Sequence, residues 1–176
     1  MAHIYSHLFG IPATTLRLFT VYGLWGRPDM APMIFAKSIL NNEVIKVFNN
    51  GEMFRDFTYI DDVAEVIYRC SFKPAIPNID FDRNNPDPST SFAPHRIFNV
   101  VNSNAIKLIE FIESLENVFG KKAIKIFKTI QDGDVKETLS NSAAIQKWID
   151  YRPSTSFDEG IKCFAEWYTK FFKDEI

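Results

Sequence analysis

The sequence predicts an α/β fold, in which short helices alternate with short apolar strands. Apolar residues at helical spacing in the first segment end at Gly10, and residues 14–21 (TTLRLFTV) follow as a β-branched and aromatic run. A short helix, a tight turn and a buried strand are the usual order in α/β proteins. The chain is 46% hydrophobic and 24% charged, which is typical of soluble globular proteins and excludes disordered or collagen-like chains.

The helices are predicted from apolar residues that recur every three or four positions and from the residues at their ends. Gly10 and Gly120 stand where a left-handed residue would end a helix, whereas Ser156 and the pair Asp61-Asp62 stand as N-terminal caps. The predicted helices cover residues 1–9, 30–40, 63–70, 108–119, 142–148 and 158–172. The first of these begins without a cap, which we interpret as a truncated helix.

The strands are predicted where β-branched and aromatic residues cluster between turn residues. Besides residues 14–21, they cover residues 44–48, 54–60, 97–101 and 124–127. Five of the nine prolines lie between residues 73 and 96 among Asn, Asp and Ser, which predicts a long surface loop.

The charge and cysteine content restrict the partners and the cellular compartment. Lys and Arg number 20 against 22 Asp and Glu, so the net charge of −2 argues against nucleic acid and against an anionic membrane surface. Cys70 and Cys163 lie far apart, which favours two free thiols over a single disulfide. No apolar run approaches the ~20 residues that cross a bilayer, so we expect a cytoplasmic protein.

No catalytic centre is visible from residue types and spacing alone. Gly23 and Gly26 follow a predicted strand but form no G-x-G-x-x-G pattern, so a tight turn explains them better than a dinucleotide site. No tyrosine is followed four residues later by a lysine. His3 and His7 have the spacing of two metal ligands on a helix, but no third ligand is nearby and we predict no metal site.

Several motifs in order along the chain resemble the extended short-chain dehydrogenase/reductase family. The similarity is greatest to nucleotide-sugar 4-epimerases of the UDP-glucuronate 4-epimerase group. It covers nearly all of the chain, through residues 16–31 (LRLFTVYGLWGRPDMA), 54–63 (FRDFTYIDDV), 97–103 (IFNVVNS), 133–138 (GDVKET) and 152–161 (RPSTSFDEGI).

The resemblance implies only the C-terminal half of such an enzyme. Residues 1–42 would be a remnant of the Rossmann-type domain, and residues 43–176, with the loop at 73–96, would form the small α/β substrate-binding region. In the family, NAD is the cofactor, and its glycine-rich loop and the catalytic Tyr-x-x-x-Lys lie upstream of the matching part. We therefore expect the chain alone to be inactive and leave its status as an enzyme open.

Three functions fit this resemblance. The first is the UDP-hexuronic acid or UDP-hexose binding half of an NAD-dependent epimerase, with the NAD-binding half as a separate partner. The second is an inactive, stand-alone module that binds UDP-sugars, and the third is a fragment of a related sugar dehydratase or decarboxylase. The unpaired strand edge and apolar surface of a half-domain favour a homo-oligomer, with a monomer whose first ~20 residues are loose as the alternative.

The resemblance also assigns the candidate site residues. Thr20 and Arg27 would hold the sugar. In the family, a Thr at this position is found in enzymes that bind a hexuronic acid, and an arginine can donate two parallel hydrogen bonds to a carboxylate. Arg55 would bind the diphosphate, with an ion pair to Asp56 or Asp61 as the alternative. The other residues expected at the substrate are Asp29, Met30, Lys46, Phe48, Gln131, Asp134 and Thr138, and Phe19 is expected at the cofactor.

Within that set, three expectations are more specific. Lys46 and Phe48 alternate with apolar residues on a predicted strand and would lie along the uracil, although Phe48 fits the core equally well. Asp134 would accept hydrogen bonds from a ribose hydroxyl. Gln131 stands where many relatives have an arginine that contacts the diphosphate.

Overall fold

The computed structural model describes residues 1–130 and 133–173. It confirms the α/β class: helices and strands alternate along the chain. The helices are α1 (Ala2–Phe9), α2 (Ala31–Leu40), α3 (Ile60–Phe72), α4 (Leu108–Phe119), α5 (Ala143–Ile149) and α6 (Phe157–Phe171). The strands are β1 (Ala13–Leu18), β2 (Thr20–Tyr22), β3 (Val44–Phe48), β4 (Phe54–Tyr59), β5 (His95–Val100), β6 (Ala105–Lys107), β7 (Ile124–Lys128) and β8 (Glu137–Thr138).

Strand β4 is the centre of the largest sheet. It pairs in parallel with β2 and with the short β8, and antiparallel with β6. Two further parallel pairs, β1 with β5 and β3 with β7, complete the strands of the described residues. Because β4 has three partners, the segments that precede and follow it are brought together around one strand.

The predicted strand at residues 14–21 is in fact two strands that separate at Phe19. β1 pairs with β5, whereas β2 pairs with β4, so the chain changes partner at that residue. Thr20 therefore begins β2 instead of ending a longer strand. β6 and β8 were not predicted, because segments of two or three residues become strands only through their pairing with β4.

The predicted ends of the helices are largely confirmed. Gly10 and Gly120 both end helices with φ of 64°, and the Ser156 hydroxyl accepts a hydrogen bond from the Glu159 amide at 3.3 Å. The expected capping by Asp61-Asp62 is wrong, because α3 begins at Ile60 and no side chain caps it.

Asp62 is instead a buried anchor for the segment before α6. Its carboxylate accepts hydrogen bonds from the Tyr151 hydroxyl at 2.6 Å and from the Ser154 and Thr155 amides at 3.1 Å each. The carboxylate thus holds the end of α5 and the start of α6 against α3.

The main hydrophobic core lies between the central sheet and helices α2, α4 and α6. Phe57 of β4 stacks on Phe111 of α4, with ring centroids 4.6 Å apart and planes inclined by 15°. The Phe35 ring of α2 lies 6.1 Å from the Phe111 ring. This core therefore joins residues that precede and follow position 42, where the sequence predicts a domain boundary. The domain boundary proposed there stays a prediction.

Other sequence expectations can be compared with the described residues. Cys70 and Cys163 are both free thiols, as predicted. Within residues 1–130 and 133–173, every helix is too short or too polar to cross a membrane. No group of three potential ligands in the same residues could hold a metal ion.

Glu116, near the end of α4, is a second buried anchor. Its carboxylate accepts hydrogen bonds from Lys125 at 2.6 Å, from the Ala123 amide at 2.8 Å and from Lys122 at 2.9 Å. Burial alone would raise the pKa of Glu116, but these donors outweigh it and lower the pKa to about 2. The charged carboxylate therefore stabilises the turn that leads into β7.

We expect Glu116→Gln to lower the free energy of unfolding by about 2 kcal/mol, because neutral amide oxygen replaces a charged acceptor. Since the folded pKa lies below the unfolded value, the contribution is complete above about pH 4.5 and declines as the pH falls toward 2. Urea unfolding at pH 7 and pH 3 measures both effects. Glu113→Gln, at an exposed position on the same helix, is the control, and an equal loss in both variants would contradict the assignment.

Candidate functional site

A cavity of about 490 Å³ opens between α2, β3 and β4. Most of its wall is apolar, and Phe35, Met53 and Phe57 line its buried side. Six of the predicted substrate residues line it: Thr20, Asp29, Met30, Lys46, Phe48 and Arg55. A larger, more polar recess of about 680 Å³, lined by residues 102–104 and 152–157, contains none of the predicted residues. The first cavity is therefore the candidate site.

The strand pairing explains why these side chains meet. Alternate residues of a strand share a face, so Lys46 and Phe48 of β3 both point to the cavity, as do Arg55 and Phe57 of β4. Thr20 lies directly opposite Phe57 in the parallel pairing of β2 with β4. Sequence reasoning missed Phe57 as a wall residue, although its position two residues after Arg55 was a usable signal.

Arg55 is the most constrained polar side chain of the site, with only 17% of it exposed. One guanidinium nitrogen donates to the Phe54 carbonyl at 2.9 Å, and the other donates to the Asp134 carboxylate at 3.1 Å. The expected alternative partners, Asp56 and Asp61, are wrong. Asp56 is fully buried and accepts a hydrogen bond from the Asn102 amide at 3.1 Å instead.

Strand β8 and the turn before it place Thr138 and Asp134 beside Arg55. Thr138 lies opposite Arg55 in the parallel register, and its hydroxyl is buried without a hydrogen-bond partner among the described residues. A buried hydroxyl without a partner is unfavourable, so it is available to an incoming polar ligand. Gln131, which was predicted to join this group, lies outside the described residues.

Arg27 and Asp29 form an ion pair on the loop between β2 and α2. The Arg27 side chain donates to Asp29 at 3.1 Å and 2.5 Å, and the two side chains are 73% and 63% exposed. This hydrogen bonding raises the pKa of Arg27 and lowers the pKa of Asp29, so both stay charged at neutral pH. Asp29 lines the cavity, whereas Arg27 lies just outside its wall.

Gly23 and Gly26, the glycines that follow β2, do not form a cradle for the diphosphate of a dinucleotide cofactor. A Cβ added at Gly23 would lie 2.5 Å from the Ile60 side chain, and one at Gly26 would lie 3.4 Å from Met33. Both glycines therefore pack against protein and leave no open cradle for a phosphate. Phe19, the predicted cofactor contact, is half-buried at the break between β1 and β2 and does not line the cavity.

The chain is similar to proteins of the epimerase and dehydratase class. The family model described as the NAD dependent epimerase/dehydratase family matches residues 1–77. Protein CapI of Staphylococcus aureus is 47% identical over 98% of this chain and 52% of its own length. A probable UDP-glucuronate 4-epimerase of Rhizobium meliloti is 38% identical over 98% of this chain and 51% of its own length.

A solved structure shows the same fold. UDP-glucuronic acid 4-epimerase of Bacillus cereus, in complex with UDP-glucuronic acid and NAD, matches with a TM-score of 0.79 and 26% identity. The match covers 97% of this chain and 49% of that protein. The chain thus spans about half the length of the relatives it matches, and both the predicted resemblance and the predicted fold are confirmed.

The half-buried ion pair of Arg55 and Asp134 should contribute more to the free energy of unfolding than an exposed ion pair does. We expect a double-mutant cycle with Arg55→Ala and Asp134→Ala to give a coupling of about 1 kcal/mol in the free energy of unfolding. The exposed pair of Lys107 and Glu52, 2.9 Å apart, should give a coupling near zero in the same urea titrations. Equal couplings for the two pairs would show that burial does not strengthen the contact.

Proposed function

We propose that this chain, related over nearly its whole length to NAD-dependent epimerases, is the UDP-sugar-binding half of a nucleotide-sugar epimerase. The ligand class we propose is a UDP-hexuronic acid. The observation that carries the proposal is the position of Arg55 at the edge of the cavity, close to Asp134 and Thr138. The Arg55 guanidinium could bind a diphosphate, and the Asp134 carboxylate and Thr138 hydroxyl could hydrogen-bond the ribose joined to it.

The diphosphate would bind at Arg55 and Lys46, the two cations of the cavity wall. Arginine binds phosphate oxygens through parallel hydrogen bonds, and a diphosphate is a stronger partner than one carboxylate. Asp134 holds the guanidinium in place before binding and could then accept hydrogen bonds from ribose hydroxyls. The apolar wall around Phe48 would lie along the base.

The sugar would lie toward Thr20, Asp29 and Met30. A hexuronic acid carboxylate beside Asp29 would be repelled unless a cation stood between the two groups. Arg27 is that cation, because its guanidinium already pairs with Asp29 at the cavity rim. This arrangement favours an acidic sugar over a neutral one.

The chemistry of the reaction would need groups from another part of the protein. NAD, when bound, supplies hydride transfer at the sugar, but Gly23 and Gly26 do not form a cradle for its diphosphate. We therefore propose that an NAD-binding half completes the enzyme and that the chain alone is inactive. A stand-alone UDP-sugar-binding module is the second candidate, which is favoured by a cavity whose two cations, Lys46 and Arg55, both belong to this chain.

The N-terminal segment supports association with another polypeptide. Among the described residues β1 pairs only with β5, so its second edge has no partner strand. Helix α1 and the residue before it also expose apolar side chains, each of them more than half accessible: Met1, Ile4, Tyr5, Leu8 and Phe9. The complementary NAD-binding half fits this surface, with a second copy of the chain as the alternative.

Two arginine variants test the assignment of the ligand. We expect Arg55→Ala to weaken the binding of UDP by about 1.5–3 kcal/mol, because a charge-assisted contact to the diphosphate is lost. Arg27→Ala should weaken UDP-glucuronate more than UDP, since its contact is with the sugar. Isothermal titration of both nucleotides measures this, with exposed Arg17→Ala as the control. Equal losses for both ligands in Arg27→Ala would remove Arg27 from the sugar site.

The purified chain alone should not epimerise any UDP-sugar in the presence of NAD. The physical reason is that Gly23 and Gly26 pack against protein and that no tyrosine is followed four residues later by a lysine. Incubation with UDP-glucuronate and NAD, followed by chromatographic separation of the 4-epimers, is the measurement. Turnover that Arg55→Ala abolishes would come from this chain and would contradict the proposed division of labour.

A further inference from the structure

Trp25 has an unusual backbone for a large aromatic residue. Its φ is +58°, in the left-handed region that non-glycine residues other than Asn and Asp seldom adopt. The side chain is 71% exposed, so burial in the core does not account for this conformation. Another contact must hold the residue in place.

That contact is with helix α6. The Trp25 ring lies 4.6 Å from the Phe171 ring in an edge-to-face arrangement and 5.5 Å from the Trp167 ring. Trp167 and Phe171 are one helical turn apart and stack on each other at 5.4 Å, so they form one flat platform. We call these three rings the Trp25 clamp.

The clamp fixes the middle of the loop of residues 23–30. At one end of this loop, Gly23 packs closely on Ile60, and at the other end the Met30 amide donates to the Arg27 carbonyl at 3.1 Å. Between these ends, the clamp attaches the loop to α6. Arg27 lies two residues after Trp25 in this loop, and Asp29 and Met30 of the cavity wall come next.

We propose that Trp25 is a positioning residue for the sugar-binding part of the site. Its ring does not line the cavity, so it acts through the loop that it attaches to α6. By restricting the loop, the clamp keeps the Arg27 guanidinium at the rim beside Asp29. The inference rests on the proposed UDP-hexuronic acid function, and it adds that α6, outside the cavity, controls selectivity for the sugar.

The experiment compares variants on both sides of the clamp. We expect Trp25→Ala and Phe171→Ala each to weaken binding of UDP-glucuronate by about fivefold in isothermal titration, with UDP affinity nearly unchanged. Trp25→Phe retains an aromatic ring and should restore most of the affinity. Phe72→Ala, which removes an equally exposed ring on α3, should leave both ligands unaffected.

A second measurement needs no ligand. Amide hydrogen exchange at residues 23–30 should become faster in Trp25→Ala and Phe171→Ala, but not in Phe72→Ala. Equal weakening of UDP and UDP-glucuronate, no effect of Phe171→Ala, or unchanged exchange would each overturn the role of the clamp alone. Failure of the unsubstituted chain to bind either nucleotide would instead overturn the proposed function, and this inference with it.

Discussion

The geometry of the site depends on the pairing of one strand, β4, with three others. Its alternation turns Arg55 and Phe57 to the cavity and turns Asp56 to the opposite side. The register with β8 sets Thr138 beside Arg55, and the stack of Phe57 on Phe111 fixes the strand to the core. A shift of one residue in this pairing would exchange the two faces, so that Arg55 and Phe57 would both leave the cavity and Asp56 would turn toward it.

Two buried carboxylates, Asp56 of β4 and Asp62 of α3, fix neighbouring segments through hydrogen bonds. Asp56 accepts hydrogen bonds from the amides of the loop after β5, and Asp62 accepts them from the segment before α6. Burial raises the pKa of Asp56, and the hydrogen bonds from these amides lower it in part. Hydrogen bonds have direction, so the two aspartates set the paths of both segments where apolar packing would allow several.

How much the sequence could predict depends on the range of the interactions involved. Helix periodicity and the glycines at positions 10 and 120 are local, and β3 was predicted with its observed bounds. The break at Phe19, the strands β6 and β8 and the role of Asp62 depend on pairing between distant segments. The six site residues that line the cavity were identified through the resemblance to a family, whereas the Arg55 partner and the contacts of Trp25 with α6 depend on distant segments and were not found.

The charges of the site offset only part of the negative charge of the ligand that we propose for it. Arg27 pairs with Asp29 and Arg55 pairs with Asp134, so of these charges Lys46 on the cavity wall leaves one positive charge without a paired carboxylate. A UDP-hexuronate brings a diphosphate and a carboxylate, which is more negative charge than this balance offsets. The N-terminus of α2, whose first residues line the cavity, adds a positive dipole end. Groups outside the cavity would offset the remaining negative charge, and the complementary half that we propose could supply them on the open side of the cavity.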